Sequence, residues 1–226
     1  MEISKDAAQS GRGGKMNIEK LQIKLTLTEP MLGTIPKSKE VYEQYIIGKL
    51  RADLETGKIT QDEFDKRKVS ELETVKETEE KGWTGFHSDE SGIFVYDYMI
   101  RGFLKNAATV LRSQMELKNQ RSKIDSFVFV FPRKIHILSE GGKPINKPDG
   151  VIERPLRAQT MQGPRVTLAR SDYVNAGAKL VCEIHVVDNP DITIKKVQEL
   201  LDYGQLQGLG QFRNGSYGRF TWQKQK

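Results

Sequence analysis

A glycine-rich turn near the end of the chain combines residue types suited to holding a polyanion. It lies between an amphipathic segment ending at Tyr203 and an apolar segment ending at Trp222, and it contains Gly204, Gly208, Gly210, Gly215 and Gly218. Glycine at this density predicts a backbone that turns with positive φ or approaches another group closely. The turn also carries Arg213, Arg219, Phe212, Tyr217 and Phe220.

The spacing of this turn excludes two common phosphate-binding loops. No Lys-Ser or Lys-Thr pair follows the glycines, as a Walker loop requires, and no G-x-G-x-x-G leads from a strand into a helix. Three interpretations of the close approach stay open: a phosphate backbone, a second loop of the same protein, or a flexible hairpin that closes the last strand. For the first, we predict RNA contacts by Gly208, Gly210, Arg213, Gly215, Tyr217, Gly218 and Arg219.

A second group of candidate phosphate ligands lies upstream, where residues 99–170 hold fourteen lysines and arginines against five acids, a net charge of +9. Arg154, Arg157, Arg165 and Arg170 surround a predicted loop with Gln159 and Gln162, and Arg101, Lys105 and Arg112 follow one face of a predicted helix. Guanidinium groups for phosphates and amides for base or ribose edges are typical of a single-stranded RNA groove. The alternative is that some arginines pair with Glu153, Asp172 or the acids between residues 53 and 80.

Signals for catalysis are few. His87, beside Ser88 and Asp89 in a predicted turn, is the one candidate general base, and its chemistry would be ribonuclease cleavage. His136 and His185 fall in strand patterns that favour structural roles. Cys182 is the single cysteine, which excludes a disulfide and a cysteine-based zinc site. We therefore expect neither a metal nor a cofactor, and we favour a non-catalytic protein while leaving catalysis open.

Composition bounds the class of protein. The 226 residues suit one large domain or a domain with an insertion, and 36 basic against 30 acidic residues favour a polyanionic partner. No apolar run approaches the ~20 residues of a membrane span, and no signal-peptide core opens the chain. We expect a cytoplasmic protein with no membrane partner.

Hydrophobic periodicity predicts the elements that would position these residues. We expect a disordered arm over residues 1–15, one domain over 16–226, and a solvated helical insertion over about 40–81. The segments are a strand at Leu21–Leu27, inserted helices at Val41–Leu54 and Gln61–Glu80 with a Thr60–Glu63 capping box, a hairpin over residues 82–96, a helix at Ile100–Leu111, a strand region at Phe127–Leu138, a strand at Leu180–Val186, and a helix with Asp191 as N-cap. Without the insertion, the order is the βαββαβ of an α+β, ferredoxin-like (RRM-like) core, with another α+β packing as the alternative.

Two of these stretches resemble the RAMP superfamily, the RNA-binding proteins of CRISPR effector complexes. The run G-L-G-Q-F-R-N-G-S-Y-G-R-F that ends at Phe220 is similar to the family's C-terminal glycine-rich loop. The Met99–Lys105 start of the predicted helix is similar to the family's Gly-x-x-Leu-Lys helix start, with Gly102 and Lys105 near the expected places. The resemblance covers mainly residues 99–111 and 177–220.

This resemblance implies a βαββαβ core, an inserted thumb, and a repeating backbone subunit that holds guide-like single-stranded RNA beside other copies of itself or other effector subunits. The block from Glu153 to Arg165 also resembles proteins of phages and mobile elements, which implies a stand-alone member. Two alternatives stay open: a mobile-element protein that imitates such a subunit and interferes with host defence, and a guide-processing endoribonuclease.

Replacing Arg157 and Arg165 together with alanine is expected to weaken RNA binding without lowering the melting temperature, because exposed loop arginines contribute little to stability. The slope of log affinity against log salt should fall by about 0.7 for each phosphate contact removed. A large loss of melting temperature would instead assign the two arginines a structural role.

Overall fold

The computed structural model describes residues 17–73, 82–116, 118–160 and 163–225. The expected arm at residues 1–15 lies outside these ranges. The helices are α1 (Lys39–Glu55), α2 (Gln61–Leu72), α3 (Asp97–Val110), α4 (Gln120–Phe127) and α5 (Ile194–Asp202). The strands are β1 (Ile18–Leu27), β2 (Met31–Leu32), β3 (Ile35–Pro36), β4 (Trp83–Gly85), β5 (His87–Asp89), β6 (Gly92–Tyr96), β7 (Val128–Phe131), β8 (Lys134–Leu138), β9 (Gly150–Thr160), β10 (Gly163–Val174), β11 (Lys179–Val187) and β12 (Phe220–Lys224). The predicted α+β class is confirmed.

The larger sheet has the strand order β12-β1-β11-β8-β6-β5, and β7 also pairs with β11. All of these neighbours are antiparallel. Alternate residues of β1 and β11, from Leu21 to Leu27 and from Leu180 to Val186, are buried, as their period-two pattern predicts. They form one core with the buried residues of α3 and α5.

Helix α3 follows its predicted periodicity. Ile100, Phe103, Leu104, Ala107 and Ala108 are the buried residues of α3, as the three- and four-residue repeat indicates.

The predicted N-cap of the last helix is wrong. Thr193 caps α5, and its hydroxyl accepts from the Lys196 amide at 3.4 Å. Asp191 instead pairs with Lys123 of α4, and Asn189 accepts the Asp191 amide in the preceding turn.

The smaller sheet corrects the loop predicted within residues 151–170. β9 and β10 form a long antiparallel hairpin, from Gly150 opposite Tyr173 to Thr160 opposite Gly163. Along the rest of this sheet the order is β2-β10-β4-β3. Among the described strands, β9 pairs only with β10, so it is an edge strand of this sheet. Pro155, which lacks a backbone N–H, is tolerated in such a strand.

The charged helical segment has a small core of its own. Tyr42, Ile46 and Leu50 of α1 are buried together with Ile35 and Ile59. The acidic composition of the segment gives no indication of this apolar cluster. Thr60 and Glu63 form the predicted capping box at the start of α2. Residues 74–81 of the second predicted helix lie outside the described ranges.

A buried carboxylate also joins this helical pair to the rest of the protein. Glu71 is 2% exposed, and the Arg133 guanidinium donates to it at 3.0 Å. The Tyr42 hydroxyl donates to it at 3.5 Å. Burial and the Glu71 charge raise the pKa of the Tyr42 hydroxyl, which keeps this group protonated as a donor.

Gly102→Ala should stabilise the protein, because a Cβ at this α3 position meets nothing within 4 Å and alanine is better than glycine in a helix by about 0.5–1 kcal/mol. We expect the melting temperature to rise by about 1–4 °C. Gly204→Ala is the matched opposite case, since its Cβ would overlap the buried Phe220 ring. Equal melting of the two variants would contradict this packing.

Candidate nucleic-acid interface

The glycine turn between α5 and β12 packs its backbone against itself. A side chain at Gly208 would overlap the Gly218 carbonyl, and one at Gly218 would overlap the Leu209 carbonyl. The Leu209 amide donates to the Gly218 carbonyl at 2.8 Å. Gly218 has φ +72°, so the predicted positive φ is present. The density of glycine therefore reflects close contact between two backbone segments of the same turn.

The same turn is hydrogen-bonded to β2 and to the connection that precedes it. The Gly218 amide donates to the Pro30 carbonyl at 2.8 Å, and the Gln211 amide donates to the Leu32 carbonyl at 3.3 Å. Gly210 has φ +82°, and a Cβ there would lie 2.5 Å from the Leu32 carbonyl oxygen. Three interpretations of the close approach were left open. The contacts present are those of the second interpretation, in which the turn approaches another segment of the same protein.

Two residues with side chains also adopt the left-handed conformation, Phe212 with φ 56° and Ser216 with φ 69°. Such conformations cost on the order of 1–3 kcal/mol unless the surroundings impose them. The Phe212 ring is 43% exposed, and its centroid lies 5.9 Å from that of Tyr217. The turn thus presents aromatic rings at the protein surface.

A polar network connects this turn to the base of the β9–β10 hairpin. Arg154 of β9 donates through Nη2 to Ser171 Oγ at 2.7 Å and to Gln211 Oε1 at 3.3 Å. Ser171 of β10 and Thr84 of β4 each donate to the same Gln211 oxygen at 2.9 Å. Three strands and the turn therefore meet at one amide oxygen.

Arg154 carries a buried charge with neutral partners. It is 8% exposed, its guanidinium lies 4.6 Å from the Phe212 ring centroid, and Nε is buried without a hydrogen-bond partner. Within the described ranges, no carboxylate forms an ion pair with it. Burial lowers the pKa of Arg154, and the Tyr217 hydroxyl acts in the opposite direction. Because arginine stays protonated at neutral pH, a cation is left without a countercharge.

The neighbouring charges on the hairpin are neutralised. Arg170 Nε lies 2.7 Å from Glu153, and Lys37 Nζ lies 2.8 Å from the buried Asp172. Trp83 Nε1 also donates to Asp172 at 2.7 Å. The alternative that some arginines pair with local acids is therefore correct for Arg170. Arg154 differs, because it forms no ion pair with the described residues.

The remaining predicted residues are spread over four places, and one of them lies outside the described ranges. Arg101 and Lys105 line a cavity of about 660 Å³ between the α1–α2 pair and α3, where Lys105 pairs with Asp125 at 2.9 Å. Arg112 lines a separate cavity beyond the end of α3. Arg157, Gln159 and Arg165 fall on the outer half of the hairpin, Gln162 lies outside the described residues, and Arg213, Gly215 and Arg219 are exposed or partly exposed in the turn. Arg219 Nε donates to the Leu206 carbonyl at 3.2 Å.

The prediction that His87 lies in a turn beside Ser88 and Asp89 is wrong. His87 belongs to β5, is fully buried, and lies among the rings of Tyr42, Phe94 and Tyr96. The Tyr42 hydroxyl is 3.4 Å from its Nε2. The turn predicted to contain Ser88 and Asp89 begins too early, because β5 extends through Asp89 before the chain reverses.

Sequence reasoning missed Gln211, Ser171 and Thr84, the neutral members of the network. Gln211 stands between Gly210 and Phe212, so its place in the turn was visible. Its partners on β4 and β10 are 127 and 40 residues away in sequence. A pattern of types and spacing carries no signal for such pairing.

The described ranges hold neither a metal-binding cluster nor a membrane-spanning helix. No group of three or more histidine, cysteine, aspartate or glutamate side chains there is arranged to hold a metal ion. No helix in the same ranges is both long and apolar enough to cross a membrane.

Comparison with known proteins gives structural similarity at low levels. No protein-family model and no curated protein matches the chain. A chain of the Type III-B Cmr-beta complex bound to cognate target RNA, solved by cryo-electron microscopy, has a TM-score of 0.42 and 9% identity. The match covers 92% of this chain, which spans 59% of that one. A chain of a Type IV-B CRISPR complex has a TM-score of 0.44 and 10% identity, with 92% of this chain and 90% of that chain covered. Similarity this low establishes neither fold nor function.

Substitutions at two glycines of the turn distinguish an effect on stability from an effect on the position of the Phe212 ring. Gly210→Val should lower the melting temperature, because it combines positive φ with contact on the Leu32 carbonyl. Gly215→Val should melt nearly as the parent and weaken RNA binding, because the nearest atoms to its Cβ belong to the Phe212 ring, which is partly exposed and able to move. Gln225→Ala is the exposed control, and RNA affinity of Gly215→Val equal to that of this control would show that the ring position does not matter.

Proposed function

We propose that this protein is a non-catalytic, single-stranded RNA-binding module of the RAMP type, and that RNA binds where the glycine turn meets the β9–β10 hairpin. The observation that carries the proposal is the Arg154 guanidinium, buried among Ser171, Gln211 and Phe212 without an acidic partner. Buried charges in proteins are normally paired. An RNA phosphate would supply the missing charge.

The surroundings of Arg154 fit a nucleotide better than an isolated anion. Phe212 and Tyr217 present aromatic rings next to the guanidinium, and unpaired bases stack on such rings. Duplex RNA offers only the outer faces of its terminal bases, so exposed rings favour single strands. Phosphate binding at Arg154 and base stacking at Phe212 would therefore engage one segment of RNA.

The strand order supports a ferredoxin-like core. Four strands of the larger sheet lie in the order β12-β1-β11-β8, and α3 and α5 occupy the two helix positions of a βαββαβ chain order. We assign these elements to a ferredoxin-like core within a single domain over residues 16–226. The β9–β10 hairpin, inserted between β8 and β11, would be the thumb, and the segment around 40–81 a separate helical insertion.

In this proposal the RNA is guide-like, and the partners are further copies of the chain or other effector subunits. A second candidate is an interaction protein of a mobile element that imitates such a subunit. The observation that favours it is the exposed apolar set on α1 and α2, namely Val41, Tyr45 and Val69. Nucleic acid that co-purifies supports the first candidate, and its absence supports the second. The buried His87 gives no support to the endoribonuclease alternative.

Arg154→Met tests the proposal, because a structural arginine and a phosphate ligand respond differently. Removing an uncompensated buried charge should leave the melting temperature unchanged or raise it. Losing a charge-assisted bond of about 1.5–3 kcal/mol should weaken oligouridine binding by roughly 10- to 150-fold and reduce the salt slope by about 0.7.

Arg154→Lys is the control for charge alone, and it should retain part of the affinity because lysine lacks the planar donor fork. RNA affinity unaffected in Arg154→Met, measured by fluorescence anisotropy, would contradict binding at this junction. A large fall in melting temperature would show that the buried guanidinium mainly stabilises the fold.

A further inference from the structure

Over β1, β7, β11 and β12, the face of the larger sheet opposite α3 and α5 is open to solvent. Because side chains alternate across a strand, the residues of this open face are those between the buried positions of β1, β7, β11 and β12. They are Lys20, Gln22, Lys24, Phe129, Phe131, Val181, Glu183, His185 and Gln223, each exposed or partly exposed. The described residues leave this surface uncovered.

The strand register arranges the open face in rows. Phe129 of β7, His185 of β11 and Lys20 of β1 are cross-strand neighbours. In the next row, Phe131 and Gln22 lie on either side of Glu183. Because neighbouring strands are about 4.8 Å apart, the aromatic strand and the lysine strand are separated by about 10 Å. The face thus has an aromatic side and a basic side.

The aromatic side is exposed, although hydrophobic side chains of this size are usually buried. Phe129 is 38% exposed and Phe131 is 47% exposed, whereas the alternate residues Val128 and Val130 belong to the core. The centroids of the Phe131 and His185 rings are 4.7 Å apart. Three rings therefore lie side by side on the open face.

The basic side is only partly neutralised. Glu183 is the one acid in these rows; it hydrogen-bonds to His185 and lies 3.9 Å from Lys20. Lys24, one row further along β1, forms no ion pair with the described residues. At about 3.3 Å per residue, Lys20 and Lys24 are roughly 13 Å apart along the strand. Two positive charges with Gln22 between them suit a chain of phosphates.

We propose that the open face is a second RNA-contacting surface, on which unpaired bases stack on Phe129 and Phe131 while Lys20 and Lys24 contact the phosphates. This rests on the proposed function, since it assigns a further contact to the same single-stranded RNA. A sheet with exposed aromatic residues is an established way to bind single-stranded RNA. The alternation of rings with lysines and glutamines favours RNA over a protein partner, whose core contact would be depleted in charge.

The test compares Phe129→Ser/Phe131→Ser with Val41→Ser/Val69→Ser, a control that removes two exposed apolar residues from the α1–α2 pair. Binding of fluorescein-labelled oligouridine is measured for both variants, for the parent and for Arg154→Met. We expect the phenylalanine variant to bind at least about 5-fold more weakly, and the valine variant to bind as the parent. Because both phenylalanines are exposed, the melting temperature should not fall.

Each outcome assigns the result to one surface. Unchanged binding by the phenylalanine variant, with weaker binding by Arg154→Met, would overturn this inference and leave the proposed function intact. The reverse pattern would move the RNA site to the open face and overturn the junction. Sedimentation of the parent and the phenylalanine variant gives an independent readout. A parent that self-associates through the phenylalanines, with RNA binding unaffected by their loss, would make the open face a protein contact and overturn the inference.

Discussion

The contact between Gly208 and Gly218 is the constraint on which the candidate site depends. Two backbone segments approach so closely that neither position has room for a Cβ, and their hydrogen bonds hold the turn against Pro30 and Leu32. With the backbone fixed at these points, Gln211 is directed towards β4 and β10. Its single amide oxygen then accepts from Thr84, Ser171 and Arg154, so a purely steric contact determines a polar environment.

The left-handed conformation of Phe212 follows from the same constraint. The Gln211 amide, next to Gly210, binds the turn to β2 on one side, and Gly218 closes it on the other. The intervening residues must reverse the chain within a short span. Phe212 and Ser216 adopt positive φ there although their side chains disfavour it. Strain of this kind persists where surrounding contacts impose it, and it is common at binding sites. Here it holds an aromatic ring over Arg154 instead of allowing the ring to pack in the core.

The sequence predicted what depends on local pattern. The alternation in β1 and β11, the period of α3 and the Thr60 capping box are all properties of neighbouring residues, and all are present. The β9–β10 hairpin was missed because its polar strands are held by hydrogen bonds to each other and not by burial in an apolar core. Such strands lack the hydrophobic alternation that predicts a strand. His87 was misplaced for a related reason, since a histidine beside serine and aspartate resembles a turn until its burial by Tyr42 is known.

Ion pairing also limits what net charge can indicate about the candidate site. The excess of +9 over residues 99–170 suggested a concentrated basic surface. However, an acidic partner is present for each of Lys105, Lys123, Arg133, Lys134 and Arg170. An ion pair already formed has little attraction left for a phosphate, because its field is largely cancelled at a distance. Arg154 is distinguished by neutral partners and burial, which no count of charges contains. The residues best placed to bind RNA are therefore identified by the charge that their surroundings leave uncompensated. In this fold the glycine turn creates that condition, because it directs the Gln211 amide, and not an acid, at the buried guanidinium of Arg154.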